Sequence, residues 1–208
     1  MTDTNYKYDI YLSYSRPDVD SVEKVARYLS DIGLKVWFDR WSLVPGVSWQ
    51  VTLEEALGSS FTIAVFIGTS PLSNWQKQEW KTSLIKQKSD SLRRIMTVLL
   101  PGSTSKSVPS HLRKLTHIDL RKGLENTYEL NRIIVNIGHM YGDRGELDKA
   151  IEYFEMALEI AEELKDIRGK AARLNNIGSV YQDWGKPEQA LEYYQKALEI
   201  DEELKDIQ

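Results

Sequence analysis

Residues 33–49 read GLKVWFDRWSLVPGVSW, and this stretch decides the fold of the first half of the chain. Residues 34–38 form a short apolar, β-prone run, which is typical of a buried strand. Asp39 ends that run, and Pro45-Gly46 predicts a turn. Ser48 stands where it can cap a helix, which the spacing of the following apolar residues predicts. A strand, a long loop and a helix then bring these side chains to one end of a sheet: Asp39, Arg40, Trp41, Ser48 and Trp49.

The sequence on either side alternates between strand and helix patterns. Apolar, β-prone runs predict strands over residues 8–13, 34–38, 61–67, 95–100 and 115–120. Apolar residues at helical spacing predict intervening helices around residues 22–29, 49–57 and 75–88. This alternation predicts an α/β fold with a parallel sheet. The near-continuous apolar run at 61–67 indicates a strand that is covered on both faces.

Ligands of open parallel sheets bind beside the carboxyl ends of the strands. Trp75 and Glu79 are four residues apart on a predicted helix, so they lie on one face of it. The predicted topology brings the following residues to this edge: Ser13, Arg16, Asp39, Ser48, Trp75 and Glu79.

Four blocks of this half resemble the TIR domain of bacterial and archaeal proteins. They are YDIYLSYS at 8–15, GLKVWFD at 33–39, LVPGVSW at 43–49 and SPLSNWQKQEW at 70–80. The resemblance covers roughly residues 6–130 and implies a flavodoxin-like fold with a five-stranded parallel sheet. A Phe-Trp block that the family carries near its last helix is absent, so the end of the domain is less well defined than its start.

The resemblance also implies an activity. Many TIR domains of this kind cleave the nicotinamide–ribose bond of NAD and release ADP-ribose or a cyclic isomer of it. The family's catalytic glutamate lies in a Trp-x-x-x-Glu motif, which Trp75-Gln-Lys-Gln-Glu79 matches residue for residue. A carboxylate there can stabilise an oxocarbenium-like ribose while a neutral pyridine leaves, so neither a general acid nor a metal is needed. Without a Gly-x-Gly-x-x-Gly motif or a P-loop, NAD is expected as the substrate and not as a bound cofactor.

Weaker roles follow for other residues at the same edge, and each has a structural alternative. Trp37 or Phe38 could stack on a ring of the substrate, although Trp37 could equally be a core residue. Asp39 and Ser48 could bond to ribose, or Asp39 could only cap the end of the strand. Arg16, with neighbouring backbone N–H groups near Ser13, could meet phosphate, or be a surface charge.

The second half contains an internal repeat with an interval of 40 residues. NIGHMYGDRGELDKAIEYF from residue 136 aligns with NIGSVYQDWGKPEQALEYY from residue 176. The spacing of the small residues resembles that of tetratricopeptide repeats, with helices longer than in the usual repeat of about 34 residues. We therefore expect a TIR domain over residues 1–128 and two repeats over 129–208. Since three repeats are normally needed for a stable stack, we also expect these two to belong to a longer array.

The junction between the two halves contains no Pro and no Ser/Gly-rich linker. Residues 124–142 are compatible with one uninterrupted helix, which would begin near Leu124 and serve both domains. Such a helix would couple the two domains rigidly.

Composition narrows the class of protein. The formal charge is +4 over residues 1–128 and −8 over residues 129–208, without the dense basic stripe of a nucleic-acid binder. The chain has no cysteine, and its three histidines lack metal-ligand spacing. No apolar run is long enough to span a membrane and no signal peptide is visible, so a cytoplasmic protein is expected.

Two interpretations of function remain open from the sequence. The first is an NAD-cleaving enzyme of signalling or defence that self-associates through its TIR domain. Its repeats would bind an unidentified protein or peptide. The second is a non-catalytic adaptor, in which residues 39–49 mediate contact between TIR domains and the repeats bind a peptide.

Overall fold

A computed structural model of the chain describes residues 6–43, 46–70, 77–78, 95–104, 107–109, 112–113 and 117–206. Internal contacts divide the chain into two compact units, Met1–Asn126 and Thr127–Gln208. We refer to these as the sheet unit and the helical unit. The predicted α/β domain with a five-stranded parallel sheet, followed by a helical repeat, is confirmed.

The sheet unit contains five parallel strands in the order β2-β1-β3-β4-β5. This is the flavodoxin-like order, which reverses direction between β1 and β3. The strands are β1 Tyr8–Ser13, β2 Val36–Trp37, β3 Ser60–Ile67, β4 Ile95–Leu99 and β5 His117–Asp119. Every residue of β3 is buried, as expected for the central strand of a sheet that is covered on both faces.

Three α-helices of the sheet unit lie among the described residues: α1 Val19–Asp31, α2 Asp39–Ser42 and α3 Trp49–Gly58. A short 3₁₀ helix, Arg16–Asp18, precedes α1. The long connection predicted between β2 and the next helix is present, but it begins with one helical turn, α2, which the sequence did not predict. Of the helix predicted over residues 75–88, the described residues are Lys77 and Gln78, which are both helical.

Two helix ends show how their caps form. Gly33 ends α1: it has φ 100°, its N–H donates to the Ser30 carbonyl, and Leu34 N–H donates to the Leu29 carbonyl, each at 3.0 Å. This is a Schellman motif, which requires a positive φ that glycine adopts without strain. Ser48 is the N-cap residue of α3, but its side chain makes no capping hydrogen bond. Only its carbonyl serves the helix, as the acceptor of the N–H and the hydroxyl of Thr52, both at 3.1 Å.

The helical unit consists of two antiparallel helix pairs. Its helices are α4 Thr127–Asp143, α5 Leu147–Glu163, α6 Ile167–Asp183 and α7 Pro187–Asp206. Successive helices pack against each other. Within each pair a glycine faces an aromatic ring. A Cβ atom on Gly138 would lie 2.8 Å from the ring of Phe154, and one on Gly178 would lie 2.7 Å from the ring of Tyr194. The same contact between a glycine and an aromatic ring therefore recurs after 40 residues, at the interval of the sequence repeat.

The junction differs from the predicted one. Residues 124 and 125 lie in a turn, and α4 begins at Thr127, three residues after the predicted start. From Thr127 the helix continues without a break to Asp143, and the contacts place all of it in the helical unit. No helix in the described part of the chain is long and apolar enough to cross a membrane.

Candidate functional site at the carboxyl edge of the sheet

The parallel strands bring the segments that follow them to one edge of the sheet. Ser13 ends β1 and is buried, and the 3₁₀ helix with Arg16 follows it. Trp37 ends β2, and α2 begins two residues later. Because β1 lies beside both β2 and β3, the segments after these three strands are neighbours at the switch point of the sheet.

Asp39 is held by the segment that leaves β1. Its Oδ1 atom accepts a hydrogen bond from the Tyr14 hydroxyl and another, of 2.7 Å, from the Arg40 N–H. Burial of Tyr14, together with the hydrogen bond and negative charge of Asp39, raises the pKa of that phenol far above its usual value. The hydroxyl therefore stays protonated and keeps its role as donor. The Asp39 carboxylate thus links the segment after β1 to the segment after β2. This contact favours the structural role that was the alternative for Asp39, at the end of the strand, over a role as a free ligand of ribose.

A cluster of charged and aromatic side chains joins α2 to α1. Arg40 contacts Glu23 at 2.8 Å and Asp20 at 3.2 Å. The indole N–H of Trp41 donates to Glu23 at 3.3 Å, and the guanidinium of Arg27 lies 5.5 Å from the Trp41 ring centre. Hydrogen bonds from Trp41 and then from Arg27 lower the pKa of the Glu23 carboxyl. We call these residues the α1–α2 cluster.

The two aromatic residues predicted to stack on substrate are core residues. Trp37 is 2% exposed and lies parallel to Tyr11, with ring centres 4.6 Å apart. Phe38 is fully buried, and its ring meets Trp41 edge-on at 5.1 Å and Tyr14 at 5.4 Å. The structure thus favours the core interpretation of Trp37 and extends it to Phe38.

Trp37 also contributes to the wall of a cavity of about 480 Å³. Two of its lining residues, Lys7 and Ser59, directly precede β1 and β3. Much of this cavity therefore lies toward the amino-terminal ends of the strands. Its volume lies in the range of small-molecule sites. Its lining is mixed: Lys7, Tyr8, Trp37, Ser42, Thr52, Glu55, Ala56, Gly58 and Ser59.

Asp18 is a residue at the carboxyl edge whose importance the sequence did not reveal. It is only 9% exposed, and its Oδ2 atom has no hydrogen-bond partner among the described residues. Gly68, the residue after β3, lies so close that a Cβ atom there would overlap the Asp18 carboxylate. Burial raises the pKa of this carboxyl group. The sequence signal that could have indicated this contact is Gly68, directly after the buried strand, because a close approach of another group to the backbone often requires glycine.

The remaining predicted residues are distributed as follows. Arg16 is exposed, and its side chain has no hydrogen bond or ion pair with described residues, so it is free to meet an anion. Ser48 is exposed at the start of α3. Trp75 and Glu79, which carry the catalytic prediction, lie outside the described residues. No group of three or more potential metal ligands occurs in the described ranges.

The order of the strands, the edge with Arg16 and Asp39, and the helical repeat define a class of protein: a flavodoxin-like α/β domain joined to a repeat module. Comparison with known families gives the same division. A family model described as "TIR domain" matches residues 10–134, and one described as "Tetratricopeptide repeat" matches residues 129–203. The chain belongs to the TIR domain family and carries tetratricopeptide repeats. The two matches overlap within α4.

One curated relative is the NAD(+) hydrolase PdTIR of Paracoccus denitrificans, which is 36% identical over 74 residues. The match covers 35% of this chain and 23% of the relative, so it concerns less than a quarter of that protein.

Solved structures resemble the fold at lower identity. A metazoan TIR-STING receptor from C. gigas, solved with 2′,3′-cGAMP, has a TM-score of 0.53 at 23% identity and covers 64% of this chain and 40% of its own. The TIR domain of the Toll-related receptor TRR-2 from Hydra magnipapillata has a TM-score of 0.44 at 20% identity, covering 54% and 83%.

Proposed function

We propose that the chain cleaves the bond between nicotinamide and ribose in NAD⁺, with Glu79 as the catalytic residue. The motif Trp75-Gln-Lys-Gln-Glu79, which follows β3 in a TIR domain, carries the proposal. Lys77 and Gln78, the described residues of the motif, are helical, in agreement with the helix that the sequence predicts there. A relative that is named an NAD(+) hydrolase supports the same activity.

The reaction needs stabilisation of positive charge more than proton transfer. The C1′–N bond breaks, its electron pair leaves with neutral nicotinamide, and the ribose becomes oxocarbenium-like. The Glu79 carboxylate would bond to ribose hydroxyls and lower the energy of that cation. Water then adds at C1′ and loses a proton, which gives ADP-ribose. A nitrogen of the adenine ring can add instead, which gives a cyclic isomer.

The described residues supply supporting contacts to such a substrate. Arg16 is an exposed cation beside the switch point, where the diphosphate of NAD⁺ would need a partner. Asp39 is engaged with Tyr14 and the Arg40 N–H, so we assign it to shaping the edge. Trp37 and Phe38 support this edge from within the core.

Replacing Glu79 tests the enzyme directly. We expect Glu79→Gln to lower nicotinamide release by about 100-fold or more, since it removes the negative charge that stabilises the transition state. Release is measured by chromatography after incubation with NAD⁺, which also identifies the product. Glu54→Gln, at an exposed position of α3, is the matched control and should keep full activity. Equal activity of the two variants would exclude Glu79 as the catalytic residue.

A second function, association of TIR domains with one another, is favoured by a separate observation. Large apolar side chains are exposed at several described positions between residues 41 and 51: Trp41, Leu43, Val47, Trp49 and Val51. Exposed large apolar side chains that gather on one surface mark protein–protein interaction sites. We assign these exposed side chains to self-association, which is compatible with catalysis and is also part of the adaptor alternative.

Trp49→Ser tests the association surface. Trp49 is 54% exposed, so its removal should leave the fold intact and weaken self-association by about tenfold or more, as for an aromatic hot spot. Sedimentation velocity over a range of protein concentrations measures this. Trp184→Ser, which removes an exposed tryptophan from the helical unit, is the control. An unchanged sedimentation profile for Trp49→Ser would refute the assignment. No nicotinamide release by the natural chain, even where it associates, would favour the adaptor.

A further inference from the structure

Helix α2 has little of its own to hold it in place. It comprises four residues, none of which is buried, and a single helical turn is not stable in isolation. Trp41, one of the exposed apolar side chains assigned to self-association, belongs to this helix and is 41% exposed. The orientation of the Trp41 ring therefore depends on the contacts that α2 makes with other elements.

The carboxylate of Glu23 in α1 accepts hydrogen bonds from three side chains of the α1–α2 cluster. Its Oε1 atom accepts from the Trp41 indole N–H at 3.3 Å and from Arg27 at 2.6 Å. Its Oε2 atom accepts from Arg40 at 2.8 Å. The Glu23 side chain is only 17% exposed. One carboxylate thus connects α1 to two successive residues of α2.

The Trp41 ring is contacted both from the cluster and from the core. The guanidinium of Arg27 lies 5.5 Å from its ring centre, and the buried Phe38 ring meets it edge-on at 5.1 Å. Arg27 is itself paired with Glu23, one helical turn earlier in α1. Glu23 therefore acts on Trp41 in two ways, through the indole N–H and through the placement of Arg27. A ring that is already held loses little conformational freedom when a partner covers its exposed part, which favours binding.

We propose that Glu23 is a positioning residue for the surface through which the chain self-associates. It holds α2 on α1 so that the exposed part of the Trp41 ring faces a second copy of the chain. The inference rests on the self-association proposed above and does not depend on NAD cleavage. Exposed ion pairs add little to the stability of a fold, and α2 buries no residue. Loss of Glu23 should therefore weaken association much more than it lowers the free energy of unfolding.

Two substitutions of Glu23 in the full chain test the proposal. Glu23→Ala removes the acceptor of all three bonds and should weaken self-association by about fivefold or more. Glu23→Gln keeps one oxygen for the indole N–H, so its association should lie between those of the natural chain and Glu23→Ala. Asp31→Ala removes an exposed acidic side chain from the last residue of α1, and this matched control should associate normally. Sedimentation velocity at several concentrations measures association, and urea denaturation measures stability.

A double substitution identifies the residue through which Glu23 acts. Trp41→Phe keeps an aromatic ring but has no N–H to donate to Glu23. If Glu23 acts by orienting Trp41, Glu23→Ala should weaken association by a smaller factor in the Trp41→Phe chain than in the natural chain. A role of Glu23 only in the stability of α1 would give the same factor in both chains.

The possible results separate this inference from the self-association on which it rests. The inference is overturned if Glu23→Ala leaves association unchanged, or if its effect is the same in both chains. It is also overturned if Glu23→Ala strengthens association, because the cluster would then hold Trp41 away from a second copy. In each of these cases the self-association itself stands. Absence of association in the natural chain would instead refute that assignment and this inference together.

Discussion

At the residue scale, Asp18 places a carboxyl group where it has little access to water. Its Oδ2 atom lacks a hydrogen-bond partner among the described residues, and the backbone of Gly68 lies against the carboxylate. An ionised carboxylate in such a place costs stability, and this is why burial raises the pKa of Asp18. The close approach also explains why glycine follows β3.

The raised pKa of Asp18 predicts how stability depends on pH. The group binds its proton more tightly in the folded state, so the folded state loses stability as pH rises from the unfolded pKa of 3.8 through the folded pKa. Asp18→Asn removes the charge. The variant should therefore be more stable than the natural chain at pH 7, and this difference should shrink as pH falls toward 3.8. Urea denaturation at several pH values measures it. A variant that is less stable at neutral pH would show that the carboxylate makes a favourable interaction.

The sequence predicted the positions of residues at the carboxyl edge better than it predicted their roles there. Asp39 follows β2 as predicted, but its role depends on Tyr14, which lies 25 residues earlier. Trp37 was predicted at the right place, yet its burial depends on Tyr11 of the neighbouring strand. Contacts between residues far apart in the chain decide both cases, and local pattern does not contain them.

At the element scale, the helical unit packs large rings against glycines. Gly138 faces Phe154 and Gly178 faces Tyr194, so each helix pair approaches closely at one point. Glycine within a helix costs roughly 1 kcal/mol relative to alanine. Retaining it in both repeats is consistent with the close approach that the rings require.

Gly138→Ala should destabilise the helical unit although alanine is the better helix former. The added methyl group would lie 2.8 Å from the Phe154 ring, and overpacking of this kind costs about 1–3 kcal/mol, against a propensity gain of about 1 kcal/mol. Gly142→Ala is the control in the same helix, since its methyl group meets Ala150 at an ordinary 3.8 Å and should be neutral or stabilising. Chemical denaturation followed by circular dichroism compares them. Equal effects of the two substitutions would mean that the ring moves aside freely.

Pattern predicted the elements more reliably than their ends. The bounds of β1 were predicted to the residue and those of β3 to within one, because both are apolar runs with clear limits. The turn of helix α2 was missed, since a four-residue helix presents no period to detect. The start of α4 was placed three residues early, because Asn126, a favoured N-cap residue type directly before the true start at Thr127, was not used as the start signal.

At the scale of the whole molecule, each unit has its own core. The sheet unit is built around β3, whereas the helical unit is built around side chains such as Phe154 and Ile177, each almost fully buried. A division of internal contacts at residues 126 and 127 is typical of domains that can unfold separately.

A matched pair of core substitutions tests this separation. Phe154→Ala should cost the helical unit about 3–5 kcal/mol, and Ile63→Ala should cost the sheet unit about 2–5 kcal/mol. Thermal unfolding of the full chain is followed at 222 nm for helix and in the near-ultraviolet for the packed rings of Tyr11 and Trp37. Each substitution should lower the transition of its own unit and leave the other in place. If both lowered one common transition, the units would be energetically coupled.

The buried Trp37 and the exposed tryptophans differ in their access to solvent, so their fluorescence can report on different parts of the chain. Acrylamide, which quenches indole emission on collision, has access to Trp49 in the sheet unit and to Trp184 in the helical unit, whereas Trp37 is shielded beneath Tyr11. Lys186 lies 3.5 Å from the ring centre of Trp184, so a change in the surroundings of this pair can shift the emission maximum of Trp184. Changes at the exposed surface of either unit can therefore be followed by intrinsic tryptophan fluorescence, without attaching a dye to this cysteine-free protein.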